Sequence, residues 1–212
     1  MKLIYGAGNI EREIDNAENL LREWSDKEKD WGQLYLEYRP VTPRDRLFVE
    51  DLAVTMLINS QVGAAAARSL CRDGASLELS SLPDKPLEAT TADDRRVVAT
   101  VIGNACWPGI SASIATKTLH KKRPALIPVL DNRAIFGAYM NPGWPQAPSL
   151  ADSTKNIQRI GDALDWIAED LTRRENAGAW PELQRIEPER SLIELFDMIW
   201  WMYFRQVEPL VP

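Results

Sequence analysis

Four basic or half-basic residues, His120, Lys121, Lys122 and Arg123, stand just upstream of one carboxylate, Asp131, in a chain whose net charge is −6. They belong to the stretch WPGISASIATKTLHKKRPALIPVLD, Trp107 to Asp131. Its first part has the makings of an anion grip. Pro108 stops one helix, Gly109 permits a positive φ, and the Ser111 hydroxyl can cap a second helix. The start of that helix offers unpaired backbone N–H groups, which suit a phosphate. The small residues Ala112, Ser113, Ala115 and Thr116 leave that end open to a large ligand. At the far end the basic residues either complement the helix dipole or contact further phosphates. Asp131 either caps a helix starting at Asn132 or does chemistry, and both can hold at once.

Other chemistry is narrowed by scarcity. There is one histidine, so a Ser-His-Asp arrangement needs His120 as its base, and a multi-histidine metal site is excluded. Two cysteines, Cys71 and Cys106, cannot ligate an iron–sulfur cluster or a four-thiolate zinc ion. No metal and no cofactor are expected. The pI near 5.0 argues against non-specific nucleic-acid binding by the whole surface, though not against a local basic patch. No apolar run is long enough to span a membrane, and Met1 to Ala7 lacks the length and flanks of a signal peptide, so a cytoplasmic protein is expected.

The elements that must position these residues read as helices. Length (212 residues) and a 45% hydrophobic, 26% charged composition suit one globular unit with ample core. The spacing of Ile10, Ile14, Ala17, Leu20, Leu21 and Trp24 predicts a helix over 10–24. Thr42 is expected to cap a helix over 43–59, with Glu50 and Asp51 facing outward. NSQVG (59–63) breaks it and 64–72 resumes it. Thr91 begins a helix to about Ala105, with Asp93 and Asp94 in its first turn. A helix restarts at Ala112, an extended apolar run covers 126–130, and a helix over 132–140 follows. The loop 141–148 is rich in Pro and Gly. Long helices are expected over 153–174 and 191–204. The IWWMYF cluster at the end of the last reads as core, since aromatics at helical spacing pack. Arg95–Arg96 and Arg173–Arg174 read as solvated. The fold class is all-α.

Trp107-Pro108-Gly109-Ile110-Ser111, the helix after it, the apolar run IPVL and Asp131 together resemble the helix-hairpin-helix of the base-excision DNA glycosylase superfamily, the one containing endonuclease III and the adenine glycosylase. In that family a Leu-Pro-Gly-Val-Gly hairpin leads to a helix, a short apolar run and an aspartate. The separation from Pro108 to Asp131, 23 positions, is the family's own, and PVLDNRAI is similar to the adenine enzyme's Pro-Ile-Leu-Asp-Gly-Asn-Val. Upstream, FVEDLAVTMLINSQVGAAAARSL resembles the family's early helix, and Gln61 falls on its glutamine. The two matches span Phe48 to Ala138, as in a divergent bacterial branch. Ser111 stands where the family has a glycine, Ile114 where it has a threonine, and Ser113 where its lyases have a lysine.

The resemblance implies a two-lobed helical bundle with a cleft. Its glycosylase-like core would be 43–140, its hairpin 107–120, and 1–42 and 141–212 would be helical extensions completing the second lobe. It implies double-stranded DNA as partner, with the target base flipped out of the stack. Asp131 would stabilise the cationic sugar or activate water. Gln61, Asn59, Ser113 and Asn132 would line the base pocket or wedge the stack, with pocket walls also from 141–148 and Trp144. Pro108, Gly109, Ile110, Ser111, Ser113, Lys117, His120, Lys121, Lys122 and Arg123 would hold the strand. Ser113 implies a monofunctional enzyme, since a Schiff-base lyase needs an amine; Lys117, one turn on, would be a displaced one. Ser111 and the acidic pI motivate a binding module of the same fold without turnover. A structural or interaction protein built on the aromatic C-terminal helix is the third expectation.

Overall fold

A computed structural model describes residues 1–6, 10–26, 32–58, 60, 62–64, 67–68, 77–145 and 156–207. They are mostly helical, with two small two-stranded antiparallel sheets. Strand β1 (Leu3–Tyr5) pairs with β2 (Arg12–Ile14), and β3 (Arg46–Leu47) with β4 (Leu77–Glu78). The helices are α1 (Ala17–Trp24), α2 (Gln33–Glu37), a 3-10 helix (Val49–Ile58), α3 (Ala92–Asn104), α4 (Ala112–Lys122), a π-helix (Asn132–Tyr139), α5 (Ile157–Thr172), α6 (Ala179–Ile186) and α7 (Leu192–Val207). Single 3-10 turns occupy Leu87–Ala89 and Arg174–Asn176.

Two expected helices are corrected. The helix over 10–24 begins only at Ala17, because Arg12–Ile14 joins a sheet and its alternation buries Ile14 opposite Leu3. The helix over 43–59 is shortened to the 3-10 segment. Thr42 does not cap it; its hydroxyl donates to Asp51 instead. The expected 64–72 helix lies largely outside the described residues. Elsewhere the local signals hold. Thr91 and Asp94 form a reciprocal capping box, with Asp94 N donating to Thr91 Oγ1 at 3.2 Å and Thr91 N to Asp94 Oδ2 at 2.7 Å.

The core is organised around α7. Its Phe196 and Trp200 pack with Tyr5 of β1 and Tyr139 of the π-helix, and Trp200 Nε1 donates to Ala134 O at 2.7 Å. Trp144, expected near a pocket, is buried in this cluster, stacked on Phe204. Helices α3 and α5 pack side by side, closely enough that a Cβ on Gly103 would meet Ile157 Cγ1 at 2.6 Å. Arg12 reaches from β2 to the end of the π-helix, donating to Tyr139 O at 3.1 Å and Asn141 O at 2.7 Å. The π-helix is therefore held at its C-terminal end by the N-terminal hairpin, and at its other end it carries Asp131. No helix among the described residues is long and apolar enough to cross a membrane. Arg95 and Arg173 are not simply solvated: Arg95 pairs with Asp165, and Arg173 with Glu11 at 2.6 Å.

Candidate functional site

The hairpin forms as its residues dictate. Gly109 has φ +82°, and Ile110 N donates to Trp107 O at 2.8 Å, which closes the turn. Ile110 is buried beneath it, while Pro108 and Gly109 are exposed. The Ser111 hydroxyl accepts from Ile114 N at 3.4 Å and starts α4. Helix α4 then presents Ser113 and Lys117, four positions apart, on one face.

That face meets Asp131. Thr116 is the reason the chain returns there: its hydroxyl donates to Ala112 O at 2.8 Å and accepts from Leu130 N at 3.0 Å. One residue earlier, Val129 N donates to Asp197 Oδ2 at 3.0 Å. With the run before it pinned, Asp131 caps the π-helix. Its Oδ1 accepts from Arg133 N at 2.9 Å and Ala134 N at 3.1 Å. Its Oδ2 accepts from Ser113 Oγ at 3.4 Å and stands 3.5 Å from Lys117 Nζ. Lys117 Nζ also donates to Ser60 Oγ at 2.7 Å. The Asp131 side chain is 30% exposed and that of Lys117 11%. One oxygen of the carboxylate is thus committed to structure, and the other is held only by the two longer contacts to Ser113 and Lys117. Asn132, beside it, has a buried Oδ1 with no hydrogen-bond partner among the described residues.

The basic run is corrected. Lys122 is buried and ion-paired with Asp51, Nζ to Oδ2 2.9 Å, so Asp51 does not face outward as expected. His120 is buried, its Nδ1 2.7 Å from Ile127 O, and its ring stacks on Tyr35. Neither can reach a phosphate. Lys121 Nζ lies over the Tyr35 ring at 4.6 Å and donates to Leu36 O at 3.2 Å; burial lowers its pKa to about 8. Arg123 donates to Arg44 O at 2.8 Å. These four consecutive residues were together expected to hold the strand, but they diverge around the helix end and each binds different partners. Asn59 and Gln61 lie outside the described residues. Neither of two surface cavities, one of about 110 Å³ beside Trp24 and Arg190 and one of about 210 Å³ beside Arg44 and Arg123, takes in Asp131.

Sequence reasoning missed Ser60, Thr116 and Asp197 as supports of the site. Asp197 had a signal: it is an acid inside the apolar run LFDMIWW. Among the described residues, no three His, Cys, Asp or Glu side chains gather as a metal site.

A family model matches residues 17–204, and its description is a family of unknown function, DUF6308. The chain belongs to this family. No curated protein and no solved structure matches it. The match takes in the hairpin, Ser113, Lys117 and Asp131, so the site lies within the part that defines DUF6308.

Burial of His120 also makes a pH prediction. Desolvation pushes its pKa down to about 4, against the pull of Glu194 and with the push of Lys121 and Arg190. The unfolded chain therefore binds this proton first, near pH 6.5, and stability is lost as pH falls from about 6.5 to 4. Between pH 7 and pH 5 the loss is about 2 kcal/mol. Asp170, buried and raised to about 6, acts with the opposite sign, losing stability as pH rises from about 4 to 6. Urea midpoints of wild type and His120→Gln at pH 7 and pH 5 isolate the histidine: the variant is expected to lose less on acidification. An equal loss in both proteins would show that the ring titrates normally.

Proposed function

We propose that the chain is a DNA glycosylase-like protein that hydrolyses the N-glycosidic bond of a damaged or modified base. In this reading it is a two-lobed bundle of the helix-hairpin-helix class, acting on double-stranded DNA with the target base flipped out of the stack. The observation that carries it is the divided Asp131 carboxylate. Two backbone N–H groups hold Oδ1, while Oδ2 faces Ser113 and Lys117 on the hairpin helix, in a side chain that is 30% exposed. A fixed anion of this kind stabilises positive charge developing at C1′ or orients an attacking water. With His120 and Lys122 buried, and with Ala112 and Ser113 in the first turn of α4 buried as well, strand contact falls to the exposed Pro108–Gly109 turn. Ser113, being a hydroxyl, offers no amine for a lyase step.

A second reading is favoured by the capping geometry and the burial of the two cations. In it Asp131 is only a helix cap, and the protein is a structural or interaction protein. The test is a panel of duplex oligonucleotides, each with one deaminated, oxidised, alkylated or foreign base. The glycosylase reading expects free base from at least one duplex, leaving a strand that breaks only after alkali. Release from none of them favours the cap.

A further inference from the structure

The Asp131 carboxylate already faces a cation. The Lys117 ammonium stands against Oδ2, the oxygen that the glycosylase reading turns to the sugar as its base departs. A cationic sugar gains from that oxygen only if its charge is not already matched, and a second positive charge beside it is repelled. Lys117 therefore opposes the chemistry while it stays in place.

We propose that Lys117 is a resident counter-ion of Asp131 that the substrate displaces; the inference rests on the glycosylase reading above. The geometry suits displacement. The contact with Oδ2 is long, 3.5 Å, where a tight charge-assisted hydrogen bond is nearer 2.8 Å. The short bond, 2.7 Å, goes to the neutral Ser60 hydroxyl. The ammonium is anchored at Ser60 and only leans on the carboxylate. When it swings away, Oδ2 keeps Ser113, and Oδ1 keeps both backbone donors. The orientation of Asp131 thus does not depend on Lys117, whereas its affinity for an incoming cation does. A phosphate of the bound strand is the natural acceptor for the released ammonium.

The test compares wild type with Lys117→Met, which keeps the length of the side chain and removes its charge. The probes are two duplexes, one with a neutral tetrahydrofuran abasic site and one with a cationic pyrrolidine in the sugar's place. The ratio of affinities, cationic over neutral, is expected to rise roughly fivefold in the variant, the effect of removing one part-exposed ion pair. A merely structural role would weaken both duplexes alike and leave the ratio unchanged, which would overturn the proposal. Should neither duplex bind either protein, the glycosylase reading fails, and the free pyrrolidine azasugar, titrated by NMR, decides the inference alone. Tighter binding to the variant supports the counter-ion, and equal or absent binding overturns it. If Lys117→Met does not fold, Lys117→Gln, which retains a donor for Ser60, takes its place.

Discussion

Replacing Lys122 with Met is expected to cost about 3–5 kcal/mol of folding stability, because it strands a buried carboxylate. Lys122 and Asp51 have side chains 1% and 3% exposed and form an ion pair of 2.9 Å. Lys122 Nζ also donates to the Thr42 hydroxyl, to Thr42 O at 3.3 Å and to Pro43 O at 3.0 Å. Asp51 additionally accepts from Phe48 N at 2.8 Å. The network ties 42–51 to the end of α4, the helix that also carries Ser113 in its first turn and Lys117 at its middle. Deleting the lysine leaves the buried Asp51 carboxylate without its counter-ion. Since domains of this kind are stable by about 5–15 kcal/mol, the variant approaches the unfolding threshold. The double replacement Lys122→Met with Asp51→Leu removes both desolvation costs and is expected to regain most of the loss. Urea unfolding at pH 7 measures all three proteins. A loss below about 1 kcal/mol in the single variant would mean that the pair is solvated, as a surface ion pair is.

The same pair shows why part of the site was illegible in the sequence. HKKR at a helix end looks alike whether it is solvated or paired, and its decisive partner, Asp51, is far away in the chain. An acid inside the apolar stretch FVEDLAV was the only hint that one of those lysines was spoken for. The hairpin was legible because its turn chemistry is local: Pro108, Gly109 and Ser111 each act within a few residues. So was the Thr91 cap, and so was the stripe of Ile160, Leu164, Ile167 and Leu171 that α5 buries. That Ser113 and Asp131 belong to one site was implied only by the family resemblance, not by a local pattern. The N-terminal segment failed for a physical reason too. Ile10 and Ile14 fit a helical stripe, but tertiary pairing of β2 with β1 outweighed that period. The 43–59 segment is apolar with little polar face, so periodicity could not say which helix type or cap it would adopt. Ser60, Thr116 and Asp197 act through hydrogen bonds across 57, 14 and 68 positions, which no local pattern encodes.

The second large effect is expected at Asp131. Asparagine is as good a helix cap as aspartate, and its Oδ1 can accept the same two N–H bonds from Arg133 and Ala134. Asp131→Asn should therefore keep the π-helix, the thermal midpoint and the duplex affinity. It replaces Oδ2, the atom that carries the proposed chemistry, with an uncharged NH2 group, which also ends the long ion pair with Lys117. Losing a preorganised electrostatic partner of the transition state slows such a step by about a thousandfold. Asp131→Ala removes the cap as well and should add about 1 kcal/mol of destabilisation. These two substitutions separate the structural oxygen from the chemical one. The deciding measurement is the single-turnover rate of base release by wild type and Asp131→Asn, on a duplex from which the wild type releases its base. A fall of about a thousandfold at unchanged stability and affinity is the predicted result. Release by Asp131→Asn at the wild-type rate would contradict it and leave Asp131 a helix cap alone.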